Sequence, residues 1–210
     1  MQRFRTAILL IPLAIVCSTP TGAVEPTEED WRWLAGARHV IDIPLPVLSA
    51  NSSVVVAFRS YWSLPHYVPD EDIGDHERYC DIRQVGSPPW ALVATVIAPV
   101  GRSLQEQLLT LHLEEPDATP EALQSRLLVT KSEVHEQHCP GLRSRFDRLP
   151  KVRVRVPAPN SIAIHPIVWE IRIRTDMGKI DATLYDQQDP LVRWARETFE
   201  VLNKCIAASR

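Results

Sequence analysis

The sequence predicts an α+β fold: a mainly antiparallel sheet of six to eight strands carrying two or three helices, one of them C-terminal. Three observations lead there. Apolar and polar residues alternate from Ser53 to Trp62 and again from Trp169 to Thr175, the period-2 mark of half-buried strands. The second run is followed by Asp176-Met177-Gly178-Lys179 and a further alternating run, the arrangement of a hairpin with glycine available where positive φ is needed. Thr119-Pro120-Glu121 and Asp189-Pro190 each set a capping side chain before a proline in the first helical position.

The chain opens with Arg3 and Arg5, an apolar run from Ala7 to Cys17 interrupted by Pro12, and the small residues Thr21-Gly22-Ala23. That is the layout of a secretory signal peptide, expected over residues 1–23, and the run is too short to span a bilayer. Cys17 lies at the depth of a lipoprotein cysteine, but Val16 stands where such a signal wants a small residue. Residues 24–210 are expected to form one soluble, periplasmic or secreted domain. Removing residues 1–23 takes away two arginines and no acids, leaving 21 bases against 26 acids, a charge of −5. A chain of that balance is not expected to bind nucleic acid, which calls for a basic patch or stripe.

Val24 to Asp30 is an acidic lead-in, and Trp31, Trp33 and Leu34 begin either a helical turn or a strand. His39 to Ile43 alternates as a strand stopped by Pro44 and Pro46. Ser53 to Trp62, rich in β-branched and aromatic residues, is a stronger strand. Leu64 to Asp81 reads as a polar loop with acids at Asp70, Glu71, Asp72 and Asp75. Trp90 to Pro99 is nearly all apolar, as in a strand buried on both faces.

Gln105 to Leu113 fits either period; Gly101 and Pro116 bound it tightly, and the strand is the preferred reading. Thr119 caps a helix that should run to about Val129, with residues 130–138 continuing it or forming an irregular strand. Gly141 to Leu149 is expected to be a short helix. The closing unit comprises strands from Lys151 to Val156, Ile162 to Ile164, Trp169 to Thr175 and Ile180 to Leu184, with Arg174 opposite Asp181. Its last helix, capped by Asp189, carries Leu191, Trp194, Ala195, Thr198, Leu202 and Cys205 on one face. Thr175-Asp-Met-Gly178-Lys-Ile180, with Tyr185-Asp186 and Pro190, is similar in spacing to the opening hairpin of cyclophilin-type prolyl isomerases. The resemblance ends there, and no functional residue of that family carries over.

Three cysteines remain after residue 23: Cys80, Cys139 and Cys205. An oxidising compartment favours a disulfide, expected as Cys80–Cys139 because both sit in polar sequence, with Cys205 a small hydrophobe on a helix face. His135 and His138, which would share a face if the stretch were helical, form the densest cluster able to hold Zn²⁺, with His76 or Cys80 as a distant third ligand, but solvated histidines beside a cysteine are the plainer reading. The acids at residues 70–75 lack the glycine spacing of a calcium loop. Nothing in the sequence calls for a cofactor, and no nucleophile elbow or phosphate loop is present.

Arg153, Arg155, Arg172 and Arg174 fall on outward strand positions and make a basic patch where an acidic partner could dock. Trp62 and Trp90 flank loops and are the tryptophans best placed to meet a ligand. The function expected from these features is that of an exported, non-catalytic binding protein, such as an inhibitor or immunity-like partner of an envelope protein. An envelope hydrolase with dispersed carboxylates, or a cell-wall sugar or metal module, are the alternatives.

Overall fold

A computed structural model describes residues 26–49, 52–62, 77–152, 167–175 and 178–209. It is α+β: among the described residues a six-stranded antiparallel sheet carries five α-helices, two more than the upper expectation. Helix α1 (Glu28–Ala37) comes first, started by a capping box in which Thr27 and Asp30 exchange side-chain and backbone hydrogen bonds. A 3₁₀ turn, Arg38–Val40, follows. The strand expected from His39 to Ile43 does not form: a 3₁₀ turn takes up residues 38–40, and residues 42–49, which contain Pro44 and Pro46, belong to no helix or strand.

Strands β1 (Val54–Trp62), β2 (Arg78–Val85) and β3 (Ala91–Pro99) form an antiparallel meander. β2 was expected to be loop up to Asp81. Its Cys80 and Ile82 face the core while Tyr79, Asp81 and Arg83 face the other way.

Gln105–Leu113, read above as a strand, belongs instead to helix α2 (Leu104–Glu114). The reason is local: Ser103 accepts from the backbone of Glu106, and Glu106 closes the capping box on Ser103. Helix α3 (Pro120–Gln124) begins at the Thr119 cap as expected but ends five residues before Val129. Strand β4 (Val129–His135) takes up the next stretch, and helix α4 (Pro140–Arg148) follows. β5 (Ile167–Thr175) and β6 (Gly178–Leu184) form the hairpin, and helix α5 (Pro190–Ala208) closes the chain.

Sheet order is β4-β3-β2-β1-β5-β6. The β5–β6 register sets Arg172, not Arg174, opposite Asp181, because the strands stay paired to Thr175 and Gly178. The shift is two residues, so every side chain keeps its expected face.

The inner face, with Phe58, Ile82, Leu92 and Ile171 fully buried, packs on α5 and α4. Phe58 lies edge-on to Trp194 at 5.6 Å and to Phe199 at 4.9 Å, the arrangement aromatic quadrupoles favour. α4 and α5 are tied by Trp194 Nε1, which donates to the Arg145 carbonyl at 2.8 Å, by Arg145, which donates to the Trp194 carbonyl at 3.2 Å and pairs with Glu197 at 2.5 Å, and by the bond from Cys139 to Cys205. The Cys80–Cys139 pairing is therefore replaced; Cys80 is a free thiol buried in the centre of β2. Cys205 reaches Cys139 because α5 runs back past the start of α4. On the outer face Leu45 covers Ala57 and Tyr79, while α1, α2 and α3 share a second small core around Leu34, Leu108 and Leu123.

Candidate functional site

A cleft opens where the end of β1 and the start of β2 meet the turn after α1 and the first residues of α2. Arg38, Asp42, Arg59, Ser60, Tyr61, Glu77 and Arg78 are among its lining residues. Its enclosed volume is about 30 Å³, room for a water or two and well below the roughly 300 Å³ at which small-molecule sites begin.

Glu77 is the strongly perturbed carboxyl of the cleft. It is 6 % exposed, and its carboxylate accepts from the backbone N–H of Leu104 at the start of α2. Burial pushes its carboxyl up to about 7, against the opposing pull of the Leu104 and Gln105 backbone and of Arg38. The N–H groups that begin a helix have no partner within it, so Glu77 satisfies them from another element.

Two guanidinium groups lie over the Tyr61 ring, Arg38 at 4.9 Å and Arg59 at 4.8 Å from its centroid. Its hydroxyl donates to Glu170 at 2.8 Å, and burial followed by the Glu170 charge raises its pKa to about 12. Arg59 donates to both Glu170 oxygens, at 3.0 and 3.2 Å, and to the Ile43 carbonyl at 2.9 Å. Burial alone would lift the Glu170 carboxyl, but hydrogen bonds from Arg59 and Tyr61 outweigh it and hold it below the usual range. Ser60 Oγ and Trp169 Nε1, on residues directly opposite across β1 and β5, are buried and have no hydrogen-bond partner among the described residues.

The residues singled out from sequence are scattered. His135 ends β4 and His138 lies in the following 3₁₀ turn, both exposed, so the shared helical face that would have joined them does not form. His76 is outside the described residues, and among those described no three His, Cys, Asp or Glu side chains form a metal-ligand group. Arg172 and Arg174 are engaged in the fold: Arg172 donates to the Leu45 and Pro46 carbonyls at 2.7 and 3.1 Å, and Arg174 to the Ser52 carbonyl. Arg153, Arg155 and the acids at residues 70–75 lie outside the described residues, as does the side chain of Trp62. Trp90 is 42 % exposed just before β3, and its carbonyl accepts from Arg143.

The groups the cleft assembles carry little local signal in the sequence. Arg38, Tyr61, Glu77 and Leu104 come from four separate stretches, and only the alternation of Arg59 and Tyr61 on one strand face hinted at part of it.

Compared with family models, curated proteins and solved structures, the chain matches none of them. Among the described residues, no helix is long and apolar enough to cross a membrane.

Proposed function

We propose that the chain is an exported, non-catalytic binding protein, working in the periplasm or outside the cell as an inhibitor or immunity-like partner of another envelope protein. One observation carries the reading: Tyr61, with Arg38 and Arg59 over its ring and its hydroxyl anchored on Glu170, stands half-buried at a small cleft. Tyrosine and arginine are the residues in which binding energy concentrates at protein interfaces, set around pockets that take single side chains. Their fixed geometry lowers the ordering cost of association. The signal-peptide layout and the Cys139–Cys205 disulfide support export.

Residues 24–210, used as bait on envelope extract, should capture a partner in near-stoichiometric amount. Tyr61→Ala and, separately, Arg38→Glu should cut that capture by roughly ten-fold or more, while Trp90→Ala leaves it unchanged. Undiminished capture by both folded variants would sink the reading.

An envelope hydrolase is the second reading, favoured by a near-neutral Glu77 carboxyl in the same cleft as Asp42. It requires turnover of chromogenic esters or glycosides that Glu77→Gln abolishes; turnover indifferent to that change removes it.

A further inference from the structure

β4 stands first in the sheet order, and among the described residues no strand pairs with its outer side. Which of its backbone groups face outward follows from two contacts. The Val100 N–H donates to the Leu128 carbonyl at 2.9 Å, so Leu128 turns its backbone groups toward β3. Pro99, which has no N–H to give, stands opposite Val129. Hydrogen-bonding direction alternates along an antiparallel strand. Thr130, Ser132 and Val134 therefore turn toward β3, and Val129, Lys131, Glu133 and His135 turn their N–H and C=O groups outward. The side chains of all four outward residues are exposed.

An edge of this kind is a template for another strand, and its charges decide which strand fits. We infer that β4 is a homodimer interface, pairing antiparallel with β4 of a second copy about a two-fold axis through Ser132. In that register Lys131 lies opposite Glu133 of the partner subunit, and Glu133 opposite Lys131 of the partner subunit. Val129 meets His135 of the partner subunit, and Thr130 meets Val134 of the partner subunit. The outward groups of all four odd-numbered residues are then paired, about eight hydrogen bonds in total. The contact is self-complementary, as a two-fold interface must be.

Charge selects this register over its neighbours. Centring the axis on Lys131 or Glu133 would set each of those residues against its own copy, and like charges directly opposite are unfavourable. Arg83 already holds Glu133 Oε1 at 2.7 Å, which fixes the carboxylate on the sheet face where the second copy's lysine arrives. Val100, Leu128 and Val129, 44 %, 62 % and 48 % exposed, gather at one end of the strand, where the second copy would cover part of that apolar surface. The edge is three strands from β1, roughly 14 Å away across the sheet, and does not depend on the reading given to Tyr61.

Sedimentation of the wild-type chain should show a reversible dimer. Lys131→Glu and Glu133→Lys, each creating two like-charge pairs across the axis, should each weaken it roughly ten-fold or more. An equimolar mixture of the two variants should regain dimer, because each reversed charge then meets its opposite. Ser132→Cys in a Cys80→Ala background should give a disulfide-linked dimer on mild oxidation, since the two cysteines would face each other in a non-hydrogen-bonded pair with Cα atoms about 4.5 Å apart. A wild-type chain that stays monomeric at millimolar concentration, or a mixture no tighter than its components, overturns the proposal. So does cross-linking through Ile180→Cys on β6 with none through Ser132→Cys, which would place the contact on the opposite edge.

Discussion

Glu77 reaches from the start of β2 to the backbone N–H of Leu104, so one buried carboxylate joins the sheet to the first turn of α2. Its burial gives the contact a pH signature. Glu77 is raised to about 7 from an ordinary 4.5, so the folded chain holds a proton in that interval that the unfolded chain has released. Its contribution is fully present below pH 4.5 and is lost as pH rises through about 7. The shift corresponds to about 3 kcal/mol. Thermal unfolding from pH 4 to 8 should therefore show the wild type losing more stability with rising pH than Glu77→Gln, which keeps an acceptor for Leu104 but cannot ionise. Parallel curves for the two proteins would contradict the assignment. The comparison with the variant is needed because Asp81, also raised by burial, acts with the same sign.

Cys139 and Cys205 close a loop of 66 residues between the start of α4 and the last turns of α5. A cross-link of that span restricts the unfolded chain by about 4 kcal/mol in the chain-entropy account, and measured values lie at about 2–4. Reduction, or Cys139→Ser with Cys205→Ser, should lower the urea midpoint accordingly while Cys80→Ala does not move it in the same way under oxidising conditions. Peptide mapping without reductant settles the pairing directly, and a Cys80–Cys139 peptide would refute it.

What was readable from the residues follows how local each determinant is. The β5–β6 hairpin and the start of α5 were legible because alternation at Trp169, Ile171 and Ile173, and the Asp189-Pro190 cap, act within a few residues. Gln105–Leu113 was misread because leucines at 108, 109, 111 and 113 satisfy both periods, and the deciding signal was the Ser103–Glu106 capping box. β2 resembles a loop in sequence because Asp81 and Arg83 sit on its outer face, where charge is tolerated. The disulfide and the cleft were out of reach for one common reason: Cys139 with Cys205, and Tyr61 with Arg38 and Glu77, meet only through tertiary packing.

Arg172 is expected from sequence to present its charge to a partner, and its guanidinium instead clamps the segment before β1 at the Leu45 and Pro46 carbonyls. Hydrogen bonds from a charged donor are worth about 1.5–3 kcal/mol. Arg172→Ala should cost about 2 kcal/mol and speed amide exchange around Leu45 and Leu48, whose side chains are buried. Exchange there that stays as slow as in the wild type would show that apolar contacts alone hold the segment. Arg172→Lys should recover only part of the protection: Nη1 alone donates to both carbonyls, and a lone ammonium has no second nitrogen to keep the Nε contact with Asp181 at 3.6 Å.

Gly141, in the first turn of α4, lies against Val201 of α5. A Cβ added there would lie 2.7 Å from Val201 Cγ1, nearer than carbon atoms pack. Valine has little freedom to turn away on a helix, because branching at Cβ confines it to one rotamer. Alanine favours a helix over glycine by up to about 1 kcal/mol, so propensity by itself predicts that Gly141→Ala stabilises. Overpacking costs about 1–3 kcal/mol in a close-packed contact, and the disulfide at the neighbouring Cys139 resists the helix shift that would relieve it. Gly141→Ala should therefore destabilise by about 1 kcal/mol net. Val201→Ala removes the methyl groups in the way, so in that background the same substitution should become neutral or favourable. A double-mutant cycle in urea measures the coupling directly, and a value near zero would mean that α4 and α5 do not meet at this glycine.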